Sequence, residues 1–253
     1  MASNQIRSSR IILNILALFI AILALIPLLG LILEGLHGIV NGSLNLGPDG
    51  LIQIKGTLYL LFLTGIFGGT LGTINGWLLA NCRFPGRKIF RIAQLLPLAT
   101  PAYLLAATLI DIGSIYSIHI YGMFWAVIIM SMTTYPYVFL LSTESFTISG
   151  RRQLEASRSL GIGPWSAFRR IALPMAIPAI GAGVALMGME VVNELGAVQL
   201  LNIPSISAGI VESWISENNP SGAIALALIA LIIVMTLVAY EKNLRKKSRR
   251  WSE

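Results

Sequence analysis

The chain has 253 residues, of which 55% are hydrophobic and 11% charged, with a formal net charge of +7 and a mean hydropathy of +0.77. Soluble domains carry about 25% charged residues, so water is not the main solvent of this chain. Its single cysteine, Cys82, excludes an intrachain disulfide and reads as a small buried apolar residue.

Six apolar runs follow in chain order, at roughly 11–33, 57–81, 91–110, 120–142, 174–198 and 222–240. Each is close to the ~20 residues that a helix needs to cross about 30 Å of hydrocarbon. The runs are continuously apolar rather than alternating, which favours helices over a barrel. Arg7 and Arg10 precede the first run as they would in a signal peptide. That run is long, contains Pro27 and meets no small-residue cleavage site, so it is expected to be a retained anchor. The second run carries Gly65, Gly68, Gly69, Gly72 and Gly76, whose four-residue spacings let helix backbones approach closely. Pro97 and Pro101 in the third run and Pro136 in the fourth remove backbone donors and should bend their helices. Such bends suit a pathway that opens and closes, and they equally serve as plain structural kinks.

The fifth run holds Glu190 and Glu194, four residues apart and expected on one helix face. An acidic residue costs about 2.5–3.5 kcal/mol near the centre of a membrane helix. Two readings stay open. Both carboxylates line a watery translocation pathway or gate, or Glu194 already lies at the membrane interface, where the cost is small.

The basic residues sort by side. With the N-terminus inside, all of the 18 Lys and Arg residues except Lys55 fall in inner segments. The positive-inside rule therefore predicts an even number of spans with both termini cytoplasmic. The Lys242-to-Arg250 run follows the last span directly and is expected to meet anionic lipid rather than nucleic acid. His37 and His119 lie in separate outer segments and make no metal site. The outer segment 199–221 carries Glu212 and Glu217 without a basic residue, and a short interfacial helix anchored by Trp214 is expected there.

One long polar loop, at about 143–173, interrupts this pattern. Ser149 can cap a helix start and Gly161 can stop it. Arg151 and Arg158 lie within helical ion-pair reach of Glu155. Ala156, Ser157 and Ser159 leave a low surface between the apolar pegs Leu154 and Leu160. Pro164 then suits the first turn of a second short helix bearing Trp165 and Phe168, and Leu173-Pro174 marks the start of the fifth span. The physical reading is a surface docking helix tied to span five; the alternative is a solvated amphipathic loop.

The run Glu155-Ala156-Ser157, three residues, Gly161, nine residues, Ile171, Leu173-Pro174 resembles the signature of permease subunits of binding-protein-dependent ABC importers. Serine replaces the usual second alanine. The resemblance implies an all-α membrane protein with six transmembrane helices and a cytoplasmic coupling-helix loop, the type I ABC importer permease architecture, as one transmembrane domain over 1–253. It implies that Leu154, Glu155, Ala156, Ser157, Arg158, Leu160, Gly161 and Trp165 dock an ABC ATPase, two such subunits serving each complex. It further implies a second permease half, identical or homologous, an extracytoplasmic substrate-binding protein, and residence in the bacterial plasma (inner) membrane. The chain lacks a Gly-x-x-x-x-Gly-Lys-Ser/Thr phosphate loop. ATP would be used by the partners, and no cofactor, metal or catalytic site is expected in this chain.

Phe84-Pro85-Gly86, Pro101-Ala102-Tyr103, Tyr135-Pro136-Tyr137 and Met189-Glu190 to Val198 resemble the first half of ferric-iron importer permeases, which usually carry two halves in one polypeptide. Sulfate and molybdate permeases are similar around Glu194-Leu195-Gly196-Ala197-Val198. Ferric iron is the cargo that this resemblance favours, with an oxyanion as the alternative. A six-span secondary transporter or channel, coupled through Glu190 and Glu194, is the reading from a different class and leaves the polar loop unexplained.

Overall fold

The computed structural model of the chain describes residues 2–148 and 163–250, which form helices and their connections with no strand among them. In chain order the helices are α1 (Ala2–Val40), α2 (Gly50–Asn81), α3 (Arg87–Ala93), a short 3-10 turn at Leu96–Ala99, α4 (Ala102–Ile115) and α5 (Met123–Ile148). After the loop come α6 (Pro164–Ala167), α7 (Leu173–Asn193), α8 (Gly196–Leu200), α9 (Ile206–Val211) and α10 (Pro220–Arg250). Among the described residues, five helices are long and apolar enough to cross a membrane: Leu13–Val40, Gly50–Asn81, Met123–Thr147, Trp165–Asn193 and Pro220–Lys246. A sixth crossing exists if Arg87–Ala99 and Ala102–Ile115 are taken as one broken span.

At the centre α2 packs along α5 and α7, α10 packs on α7, and α1 touches the rest mainly through α10. Lipid tails are as apolar as leucine, so burying apolar surface gives membrane helices little reason to associate. Close backbone approach supplies it instead, and the α2 glycines provide that approach on two faces. Gly68, Gly72 and Gly76 sit against α5 and the Met187 side chain, while Gly65 and Gly69 face Val184 of α7. At Gly72 the approach is to backbone, where a Cβ would lie 2.7 Å from the Tyr135 carbonyl oxygen and 2.9 Å from the Phe139 nitrogen. Gly183 of α7 repeats the device, with a Cβ position 2.6 Å from Val138 Cα. By contrast, no part of the apolar stretch of α1 is buried, as expected of a helix facing lipid on most sides.

Three expectations change. The third span is not one bent helix over 91–110 but two segments meeting at 92°. Pro97 and Pro101 withhold two amide donors within five residues, and Pro101 starts α4 in extended backbone. The fifth span begins near Trp165 rather than at 174, because the helix opening at Pro164 continues into α7. Pro174 cannot donate to the Arg170 carbonyl, and the chain accommodates this with a wide turn in which Leu173 N–H bonds Phe168 O, five residues back. The same helix ends at Asn193 rather than 198, so Glu194 lies just beyond it in extended backbone. Glu190 and Glu194 therefore do not share one helix face.

The remaining differences are extensions. α1 reaches Val40, α5 continues to Ile148 and α10 runs on to Arg250 with a Glu241–Arg245 ion pair one turn apart. The expected helix of the 199–221 segment is α9, capped by Ser205, whose Oγ accepts from Ala208 N–H. It continues as another wide turn through Glu212–Ser216, and Trp214 stays 56% exposed on it.

Candidate functional site

Two ends of the bundle differ in chemistry. The α2–α3 connection bears Arg83, α3 bears Arg87, Lys88 and Arg91, and the wide turn after α6 bears Arg169 and Arg170. The connections 41–49 and 194–219 lie at the other end and carry Asp49, Glu194, Glu212 and Glu217.

At the basic end an aromatic cluster ties three helices together. Phe146 of α5 is fully buried with Ala172 and Ala176, and Trp77 and Phe168 pack on them. The Trp77 and Phe168 rings meet edge to face with centroids 5.0 Å apart, and Phe168 also meets Trp165 at 5.5 Å. Trp165 is itself 69% exposed, so its outer face is available at the place where the polar loop rejoins the bundle. Leu154, Glu155, Ala156, Ser157, Arg158, Leu160 and Gly161 lie outside the described residues. Neither Trp77 nor Phe146 stood out in the sequence. Their signal was position alone, one aromatic in the last turns of each of two apolar helices flanking a basic segment.

The second candidate is a cavity of about 280 Å³ lying against the break in the third span. Its walls are the Pro97–Ala102 break, Thr133, Thr134 and Tyr137 of α5, and both Glu190 and Glu194. The fold thus brings the two carboxylates together around one space by a route other than the shared helix face expected. Glu190, at the end of α7, is exposed to that space, while Glu194 is half-buried. Glu194 Oε1 accepts the Ala197 backbone N–H at 2.8 Å, capping α8. Thr133 and Thr134 turn their hydroxyls back onto carbonyls of their own helix, to Ile129 and Met130, a habit that bends helices. With Pro136 two residues on, α5 is shaped where it borders the cavity. Among the described residues, no Lys, Arg or His lines this space. Thr100, Thr133 and Thr134 were not singled out from sequence, since threonines in an apolar run carry no spacing signal.

The two histidines are apart and exposed. His37 meets the Asn41 amide at 2.9 Å, one turn away on the same helix end. Among the described residues no three His, Cys, Asp or Glu side chains gather as a metal site.

A helical bundle with several candidate membrane crossings, one of them broken beside a polar cavity, has the architecture of a multi-pass membrane protein. The family described as "Binding-protein-dependent transport system inner membrane component" matches residues 68–247, and the chain belongs to it. It is 28% identical over 238 residues to the Fe(3+)-transport system permease protein FbpB 2 of Haemophilus influenzae, covering 93% of this chain and 46% of that protein. It is 29% identical over 197 residues to the sulfate transport system permease protein CysT of Salmonella typhimurium, covering 72% of this chain and 70% of that one. The chain therefore spans about half the length of the first relative. Among solved structures, the MetNI methionine ABC transporter in an inward-facing conformation superposes with a TM-score of 0.64 at 19% identity, over 79% of this chain and 98% of that one. A bacterial ABC transporter importing alginate gives 0.65 at 16% identity, over 96% of each chain. The fold is the type I ABC importer permease architecture, and the chain is a transport subunit of that class. Family membership decides against a secondary transporter or channel.

Proposed function

We propose that this chain is the permease component of an ATP-driven importer in a bacterial plasma membrane, taking cargo from an extracytoplasmic binding protein and passing it inward by alternating access. The sorting of basic residues supports an N-terminus and C-terminus in the cytoplasm. The polar loop of each permease half then faces one of two ATPase subunits, with Glu155, Ala156 and Ser157 on the docking helix, Gly161 at its end and Trp165 at the loop's return to the bundle. A second permease half, of this sequence or a related one, completes the pathway. Closure of the ATPases would swing the halves as rigid bodies, and the aromatic joint of Trp77, Phe146 and Phe168 supports such transmission from loop to helices.

For cargo, we read ferric iron as the better fit, and the cavity at the broken span carries that reading. Its two carboxylates, one phenol and three threonine hydroxyls are oxygen groups, and among the described residues no basic side chain borders it. Hard oxygen donors suit a highly charged cation. A sulfate ion in the same space would face two carboxylates with no cation to offset them. The opposing reading rests on the sulfate permeases among the relatives, which are as similar as the iron permease over the part they cover.

Co-purification tests the assembly. The wild-type permease should bring down an ABC ATPase, and Glu155→Arg should abolish the association; retention by both Glu155→Arg and Gly161→Pro rejects the docking assignment. In liposomes, a ferric-loaded binding protein should stimulate ATP hydrolysis by the complex. Stimulation only by a sulfate- or molybdate-loaded protein rejects iron.

A further inference from the structure

Glu194 lines the cavity and also holds a piece of its wall in place. Its Oε1 accepts the Ala197 N–H at 2.8 Å, and its own carbonyl oxygen accepts the Ser207 hydroxyl at 2.6 Å. The first of these satisfies an orphan donor at the start of α8 with a charge-assisted bond. The capped helix is the platform for α4. A Cβ on Gly196 would sit 2.6 Å from Tyr103 Cβ, and Ala197 and Val198 are buried in one cluster with Ala102 and Ala106. α4 is one half of the broken span, and its first residues, Pro101 and Ala102, border the cavity. Contact therefore runs without a gap from the Glu194 carboxylate through α8 to the cavity wall. Glu190, one turn back on α7, takes no part in the capping.

We propose that Glu194 is a positioning residue: a latch that, through α8, holds the α4 half of the broken span in place at the cavity wall beside Glu190. This rests on reading the cavity as the translocation pathway. The two carboxylates then have separate tasks, Glu190 toward cargo and Glu194 toward the wall.

Cysteine accessibility tests the latch. In sealed membrane vesicles, a Cys82→Ser chain carrying Thr100→Cys reports on the cavity wall through its labelling rate with a membrane-impermeant maleimide. Glu194→Ala should raise that rate about fivefold, the population shift that corresponds to losing one helix cap. Glu194→Gln, whose amide oxygen can still accept from Ala197, should stay within about twofold of the parent. Gly196→Ala, which wedges α8 away from Tyr103, should raise labelling without touching any charge. An unchanged rate in Glu194→Ala, or an equal rise in Glu194→Gln, overturns the latch. Where Glu194→Ala fails to fold, Gly196→Ala decides in the same way. The assay needs neither ATPase nor cargo, so the latch can fail while the importer reading stands. Loss of ATPase association would reject the importer reading without altering the labelling.

Discussion

The α2–α5 contact and the broken third span solve opposite problems with neighbouring stretches of chain. Along α2 the side chains have been removed where α5 crosses, and the Ser142 hydroxyl donates across the contact to the Gly72 carbonyl at 3.3 Å. Nothing there can shift without backbone moving into backbone. Around Pro97 and Pro101 the helix is cut instead, and the space left over is a polar cavity rather than a packed seam. The two halves also rest on different supports. The α3 half leans on Leu79, Tyr135 and Phe139 through Phe90 and Leu95, whereas α4 rests on α8. A rigid spine thus stands beside a span cut into two halves with separate supports.

The largest expected effects come from putting bulk back into the spine. Gly72→Leu should prevent accumulation of folded protein, because the added side chain meets the Tyr135 carbonyl and Phe139 nitrogen, which cannot rotate away. Gly72→Ala should cost about 1–3 kcal/mol, the usual range for overpacking, read as a lower melting temperature in detergent. Near-normal melting of Gly72→Leu would mean that the seam is not rigid. Next comes the cavity. Glu190→Gln should cut cargo-dependent uptake at least about tenfold, the loss expected when about 1.4 kcal/mol of charge attraction disappears from the path, while melting within error of the parent. A matched fall in both measurements would make Glu190 structural. Phe168→Ala should be intermediate in stability, costing about 1–3 kcal/mol because the ring is only partly buried. Its sharper readout is coupling: ATP hydrolysis by the complex should respond less to loaded binding protein although the ATPase still co-purifies.

The spine was legible in the sequence and the break was only half so. Five glycines at four-residue spacing name a packing seam by themselves, since absence of a side chain is visible without coordinates. Pro97 and Pro101 announce a disturbance, but its size depends on what fills the space beside it. α8, a five-residue element at the end of an apolar run, is what α4 packs on beyond the 92° break. Glu190 and Glu194 were visible as costly residues, and their shared cavity was anticipated from a helix face that does not exist. The fifth span stops at Asn193, and Glu194 beyond it caps the next helix through a bond to Ala197 N–H that apolar periodicity cannot report. Glu155 to Gly161 is the reverse case: its pattern is the most specific in the chain, and it lies outside the described residues.

The smallest effect asks whether α3 belongs to the spine or to the moving span. The Asn75 amide donates to Gln94 Oε1 at 2.9 Å, joining α2 to the residue just before the break. Both groups are half-buried, and each has lost part of its contact with water, so removing one strands the other. Hydrogen bonds between membrane helices are nevertheless modest, about 0.6 kcal/mol in double-mutant cycles, because the unfolded helices find other partners. The cycle Asn75→Leu, Gln94→Leu and the double variant should give a coupling of about that size in melting stability. The informative comparison is between states. If α3 rides with the spine, the coupling is the same with and without ATP trapped in the complex, since donor and acceptor never separate. If α3 swings with α4, the coupling vanishes in one of the two states, and the division at Pro97 is not where the subunit bends.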